Sequence, residues 1–279
     1  MVGGGYSATG VVGLIGLAII AAGTVLAPVL TPHHPLAMNP DDQLLPPSVS
    51  HPFGTDLFGR DVLSRVLHGA RISLSVGILA AASAALPGLL LGLVGGYYGG
   101  WIDQMLMRLT DLALAFPSLI LALGIVAILS PGLANVTIAV GLAGIPAYVR
   151  LVRGSVLSVR EKLYVEAAQA VGCPHRRIIL RHILPNISGP VLVLATMDVA
   201  WAILRATSLS FLGLGAQPPT PEWGAMIDDG REFLRRAPWV SLAPSAVMML
   251  AVLSLNLVGD ALRDAMDPHT DSRQRQSGR

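Results

Sequence analysis

The chain has 279 residues, of which 53% are hydrophobic and only 13% charged, with a formal net charge of +2. A soluble domain carries about a quarter charged residues, so this composition, at a mean hydropathy of +0.63, excludes a water-soluble enzyme and reads as a membrane protein. The near-neutral balance gives no argument for nucleic acid, and the lone cysteine, Cys173, leaves no internal disulfide.

A helix crossing the hydrocarbon needs about 20 apolar residues. Val11 to Leu30 is the first such run, and it lacks the basic start of a cleaved signal, so a retained helix is expected over about 10–30. Residues 31–71 then form a long polar loop with the Pro-rich stretch "TPHHPLAMNPDDQLLPP". Within it, "GTDLFGRD" (54–61) reads as a turn plus a short amphipathic helix against the outer face. His33, His34 and His51 read as solvated loop histidines, because no metal-ligand spacing accompanies them. A second span is expected at 72–95.

The charge-free run from Leu112 to Val149 is long enough for two helices, divided at the turn signal Ser130-Pro131-Gly132. Spans are expected at 106–129 and 133–153, with Pro117 and Pro146 kinking rather than ending them. The fifth span, 188–207, carries Asp198. An intramembrane carboxylate is expensive and a functional candidate by default, here for the translocation pathway; pairing with an arginine is the alternative. Arg205 reads as a snorkelling end residue. The loop 208–237 contains "QPPTPEWG", held extended by its prolines, with Trp223 at the membrane interface or against a partner protein. The sixth span is 238–260.

Six spans put both termini on one side. With loops 96–105 and 154–187 that side carries twelve Lys and Arg residues, among them Arg108, Lys162, Arg181 and Arg279, against six (Arg60, Arg65, Arg71, Arg231, Arg235 and Arg236) opposite. The positive-inside rule then makes the termini cytoplasmic.

On that side the chain interrupts its apolar runs with "YVEAAQAVGCPHRRIILRHILPN", Tyr164 to Asn186. Tyr164 to Val171 reads as a short helix of strong formers, stopped by Gly172 as a C′ glycine. Pro174 suits the first turn of a second helix bearing His175, Arg176, Arg177 and Arg181, which Pro185 ends or kinks. Small alanines on a short helix form a knob that a groove on another protein accepts; the alternative is a basic helix lying on anionic headgroups. His68, His175 and His182 have no partner pattern suggesting catalysis.

"EAAQAVG" (166–172) followed by "RHILPN" (181–186) resembles the EAA loop of membrane subunits of ABC importers, specifically the C-type subunit of the dipeptide, oligopeptide and nickel permease family. "HPFGTDLFGRDVLSRVLHGARISLSVG" (51–77), "GGYYGGWID" (95–103), "SLSFLGLGAQPPTPEWGAMI" (208–227) and "NLVGDALRDAMDP" (256–268) extend the likeness over residues 10–268. The family's usual acidic residue before "SLSFLGLG" is absent, Ala206-Thr207 standing there with an unusual Arg205.

The resemblance implies an all-α polytopic membrane protein of six helices with the ABC type I importer permease fold. It implies an N-terminal region 1–71, a transmembrane domain 72–265 with its coupling loop at 160–186, and a disordered cytoplasmic tail 266–279. Tyr164, Glu166, Ala167, Ala168, Gly172, Arg176 and Arg177 would form the surface coupled to ATPase. The implied partners are a second permease, two cytoplasmic ABC ATPase domains, an extracytoplasmic peptide-binding protein and the bilayer of the cell membrane. Catalytic residues, metal and cofactor are not expected. No G-x-x-x-x-G-K-[ST] occurs and Lys162 is the only lysine, so any ATP hydrolysis belongs to another chain. A self-contained secondary transporter should show paired interrupted helices in its two halves, and an intramembrane enzyme convergent polar residues on its spans; neither pattern is present in the sequence.

Overall fold

The computed structural model describes residues 8–266. The expectation of a disordered tail at 266–279 therefore lies, Met266 apart, outside the described residues. Helix α1 (Ala8–Val25) buries Gly10, Gly13, Gly16, Ile20 and Thr24. This stripe at helical spacing faces α11 (Trp239–Met266), with Gly13 against Leu257 and Gly16 against Ser254. A break at Leu26 leads to the one-turn α2 (Ala27–Leu30).

Helix α3 (Val62–Tyr98) has 37 residues, about 55 Å at 1.5 Å per residue against about 30 Å of hydrocarbon. It starts ten residues before the expected span because Asp61 accepts from the Ser64 amide and caps it. Its largest interface is with α6 (Leu133–Arg160). Gly88, Gly92 and Gly96 lie one per turn against Tyr148, Val152 and Val156, and a Cβ on any of them would overlap those side chains. Pro146 sits inside α6 without ending it.

The expected span 106–129 is broken. Helices α4 (Gly100–Leu114) and α5 (Ser118–Leu129) meet at 93°. Pro117, expected to kink, instead stands extended as the N-cap of α5, where its missing N–H costs no helical bond. Helix α4 turns Trp101, Met105, Leu109 and Leu112 outward. Its Asp103 is bound by Arg153 of α6, and Asp111 by Arg150.

The connection between α6 and the fifth long helix holds α7 (Leu163–Ala170) and α8 (His175–Ile178). Of the two outcomes expected at Pro185, an end or a kink, the helix does not end. Helix α8 runs through a π-helical turn, Ile179–Ile183, into α9 (Leu184–Phe211). The widened turn, with the Leu184 amide on the Ile179 carbonyl, falls where Pro185 supplies no donor and its ring crowds the preceding turn. Helix α10 (Trp223–Gly230) precedes α11. Among the described residues, five helices are long and apolar enough to cross a membrane, or six if the bent α4–α5 pair is one span.

The two ends of the bundle differ. At one, the segment 31–61 meets the segment 212–238 and the start of α11: Arg60 lies 3.7 Å from Asp229, and the Trp239 indole donates to the Thr55 carbonyl at 3.1 Å. Three expectations fail here. Residues 54–61 form no helix, because Asp56 accepts from the Phe58 and Arg60 amides, a local bond that competes with helix, and Gly54 and Gly59 have positive φ. His51 is buried, bonded to Asp61 at 3.0 Å and stacked on His33 at 4.6 Å; only His34 of the three is fully exposed. Trp223 is 0% exposed rather than interfacial. Its indole donates to the Val66 carbonyl, and Gly69, lacking a Cβ, lets Pro221 lie against α3.

Candidate coupling surface

The other end of the bundle carries the helix–turn–helix segment, built on a small apolar base. Val165 and Ala168 of α7 point inward, packing with Val152, Val156, Ile178 and Ile183. Their i, i+3 spacing fixes which face of α7 is left outside. That outer face shows Leu163 (82% exposed), Tyr164 and Val171 (79%), with Glu166, Ala167, Gln169 and Ala170 also exposed. Of the residues expected to form the surface, Tyr164, Glu166, Ala167, Gly172, Arg176 and Arg177 are brought to the exterior together, and Ala168 is turned into the base.

Helix α7 ends as the sequence predicts. Gly172 has φ +77°, its amide bonds the Gln169 carbonyl at 2.9 Å, and the Cys173 amide bonds the Ala168 carbonyl at 3.0 Å. This is the Schellman pair. Cys173 packs against the same apolar base, consistent with a small turn residue. Beside it, Pro174, Arg176, Arg177, Leu180, Arg181 and Pro185 line a wide, shallow groove of about 560 Å³. Tyr164 leans over His182 at 6.3 Å.

Sequence reasoning missed the ties that hold this element to the bundle. The Tyr97 hydroxyl and His175 Nδ1 are 2.7 Å apart. Arg160 donates to the Tyr97 carbonyl at 2.8 Å and to the Gly96 carbonyl at 3.3 Å, occupying the orphan carbonyls at the end of α3. "GGYYGGWID" stands out in the sequence as a motif of the resemblance, but nothing in it names His175 as the partner.

Asp198 lies apart from α7, midway along α9. Arg205 donates to it at 2.6 Å and the Tyr148 hydroxyl of α6 at 3.2 Å. Arg205 is thus no snorkelling residue: two turns along the same helix, it folds back onto a carboxylate that would otherwise stand unpaired in an apolar bundle.

The family model for the binding-protein-dependent transport system inner membrane component matches residues 88–272. The chain belongs to this family. A second model, the N-terminal TM domain of oligopeptide transport permease C, matches residues 8–47 of the permease. The dipeptide transport system permease protein DppC of Alkalihalophilus pseudofirmus is 48% identical over 94% of this chain and 86% of its own. The glutathione transport system permease protein GsiD of Escherichia coli O157:H7 is 50% identical over 80% and 73%, and that of Pectobacterium atrosepticum 47% over 81% and 75%.

Two solved structures share the fold. One shows inward facing conformations of the MetNI methionine ABC transporter (TM-score 0.59, 16% identity, 72% of the permease and 96% of that chain). The other is an amino acid ABC transporter with histidines (TM-score 0.54, 15% identity, 72% and 94%). The permease therefore has the all-α fold of ABC-transporter membrane subunits, and α7 is a short helix leaving its bundle on the side of the Tyr97–His175 tie.

Proposed function

We propose that the chain is the transmembrane permease subunit of an ATP-driven importer of dipeptides and oligopeptides. It forms half of the translocation pathway beside a second, related permease. Helix α7 and the Gly172 turn sit in a groove of a cytoplasmic ABC ATPase, one of two, and an extracytoplasmic peptide-binding protein delivers the substrate to the opposite end. Residues 1–71 then supply the first span and outer segment, 72–265 the transport domain, and 266–279 a cytoplasmic tail, with both termini in the cytoplasm.

The observation that carries this reading is the outer face of α7. Leu163, Tyr164, Ala167 and Val171 are exposed apolar groups on a helix too short to be stable alone, fixed to the bundle by a buried base. Such a face gains free energy by entering a protein groove, and the chain carries no P-loop of its own. Asp198 and Arg205 are proposed as a polar element of the pathway wall: Arg205 is partly exposed while Tyr148 is buried behind the pair.

The test is reconstitution with the partner permease and ATPases. Ala167→Cys, placed in a Cys173→Ala background, is expected to cross-link to an ATPase subunit. Glu166→Lys is expected to lower peptide-stimulated ATP hydrolysis at least tenfold while the complex still assembles. A complex that hydrolyses ATP in step with transport despite a blocked α7 would overturn the reading. The glutathione permeases, at 47–50% identity, favour a second substrate reading, a thiol tripeptide. A binding-protein panel spanning dipeptides, oligopeptides, glutathione and nickel chelates separates the cases.

A further inference from the structure

At the end opposite α7, a small cleft of about 90 Å³ opens between the start of α3, the end of α9 and α10. Gly213, Gln217 and Pro218 form its exposed mouth. Its floor holds Arg65, whose side chain is 3% exposed, and Ser210, a residue 3% exposed.

Both floor residues are anomalous. Arg65 Nη1 and Ser210 Oγ are buried with no hydrogen-bond partner. Arg65 has only two loose ion pairs, 3.5 Å to Asp56 and 3.9 Å to Asp229, both beyond good hydrogen-bond length. Asp56 is already committed. It accepts from Arg60 Nε at 2.6 Å and from the Phe58 and Arg60 amides at 2.9 and 3.0 Å. Asp228, which also lines the cleft, lies 2.9 Å from Arg231 by its Oδ1, though that oxygen too makes no hydrogen bond. Asp229 stands 41% exposed at the rim, and burial, outweighing the pull of Arg65 and Arg60, holds its carboxyl above the ordinary range.

A buried guanidinium nitrogen left without a hydrogen bond is costly. The group that matches its planar fork is a carboxylate, and the cleft has room for about three waters at ~30 Å³ each or for one such group. We propose that this cleft is a receptor for a single carboxylate, gripped by Arg65 and the Ser210 hydroxyl. The carboxylate has two sources: the C-terminus of a free peptide, or an Asp or Glu side chain of a protein docking at this end. The assignment rests on the permease reading only for those sources; the receptor chemistry stands on the cleft alone.

The test uses the full-length protein in detergent, read by thermal unfolding. Sodium acetate is expected to raise Tm saturably, and sodium chloride at equal ionic strength to have no such effect. Ser210→Ala removes an unpartnered buried hydroxyl, so without acetate it is expected to unfold no lower than the wild type. Its acetate midpoint is expected to weaken about fivefold, the equivalent of about 1 kcal/mol. Arg65→Lys is expected to lose the acetate response. Glycylglycine matching acetate, with glycylglycine amide inert, assigns the site to peptide termini; acetate acting alone assigns it to a side chain of a docking protein. Equal responses to acetate and chloride, or an unchanged midpoint in Ser210→Ala, would overturn the proposal, meaning that the cleft holds only water. Such a failure leaves the α7 experiments untouched, and failure of those leaves the acetate response intact.

Discussion

Asp198 and Arg205 illustrate how a charge survives in an apolar bundle. Each is the other's counter-ion, and Tyr148 supplies a second donor to the carboxylate. Removing one member leaves the other buried and unpaired, at a cost of about 3 kcal/mol. Asp198→Ala is therefore expected to lower Tm clearly, and Asp198→Ala with Arg205→Leu to recover most of the loss; thermal unfolding of the three proteins checks this. Gly172 is a simpler case. An L-residue at its positive φ costs about 1 kcal/mol, so Gly172→Ala is expected to leave the bundle folded while fraying the end of α7. The readout is lower coupled ATP hydrolysis with an unchanged unfolding temperature. The sequence made the Gly172 turn legible because one residue type in one position carries the signal. For Asp198 it offered pairing with an arginine only as the alternative and did not name Arg205, since the partners stand two helical turns apart and a hydropathy profile sees each charge alone.

Helices were readable where length and apolarity suffice, as in α1, α6 and α11. They were misread where a polar residue decides the outcome. Pro117 and Pro146 look alike in sequence, yet one separates α4 from α5 and the other stays inside α6. The difference lies in the tertiary ties of the neighbouring helix: Asp103 and Asp111 bind α4 to Arg153 and Arg150, holding it away from the line of α5. "GTDLFGRD" alternates like an amphipathic helix, but its charges close on each other and its two glycines turn the backbone. Close packing of α3 on α6 supplies an element-scale prediction. Gly92→Leu forces a side chain into Val152, and overpacking of this kind costs about 1–3 kcal/mol. Unfolding at a lower temperature, with α7 coupling lost in proportion, is the expected result.

At the scale of the whole molecule, the two ends of the bundle carry different polar structures. The face of the 31–61 and 212–238 segments is tied by buried bonds, among them Trp223 to Val66 and Glu222 to Ser73. Trp223→Ala opens a large cavity there and is expected to cost about 3–5 kcal/mol, measured as loss of folded protein in detergent. Sidedness is checked by labelling in the Cys173→Ala background. Gln217→Cys is expected to react with an impermeant maleimide on intact cells, and Ala167→Cys only after permeabilisation. The long apolar helices were legible from their charge-free runs alone. Which loop residues would be interior was not, because a polar loop with buried bonds and one open to water have the same hydropathy.

Helix α3 connects these faces without interruption. Near one terminus it accepts the indole of Trp223, and at the other its Tyr97 touches His175 beside α7. Its single proline leaves the helix continuous. A displacement imposed on His175 would enter this strut at Tyr97, in the half of α3 that the Gly88–Gly96 contact packs on α6.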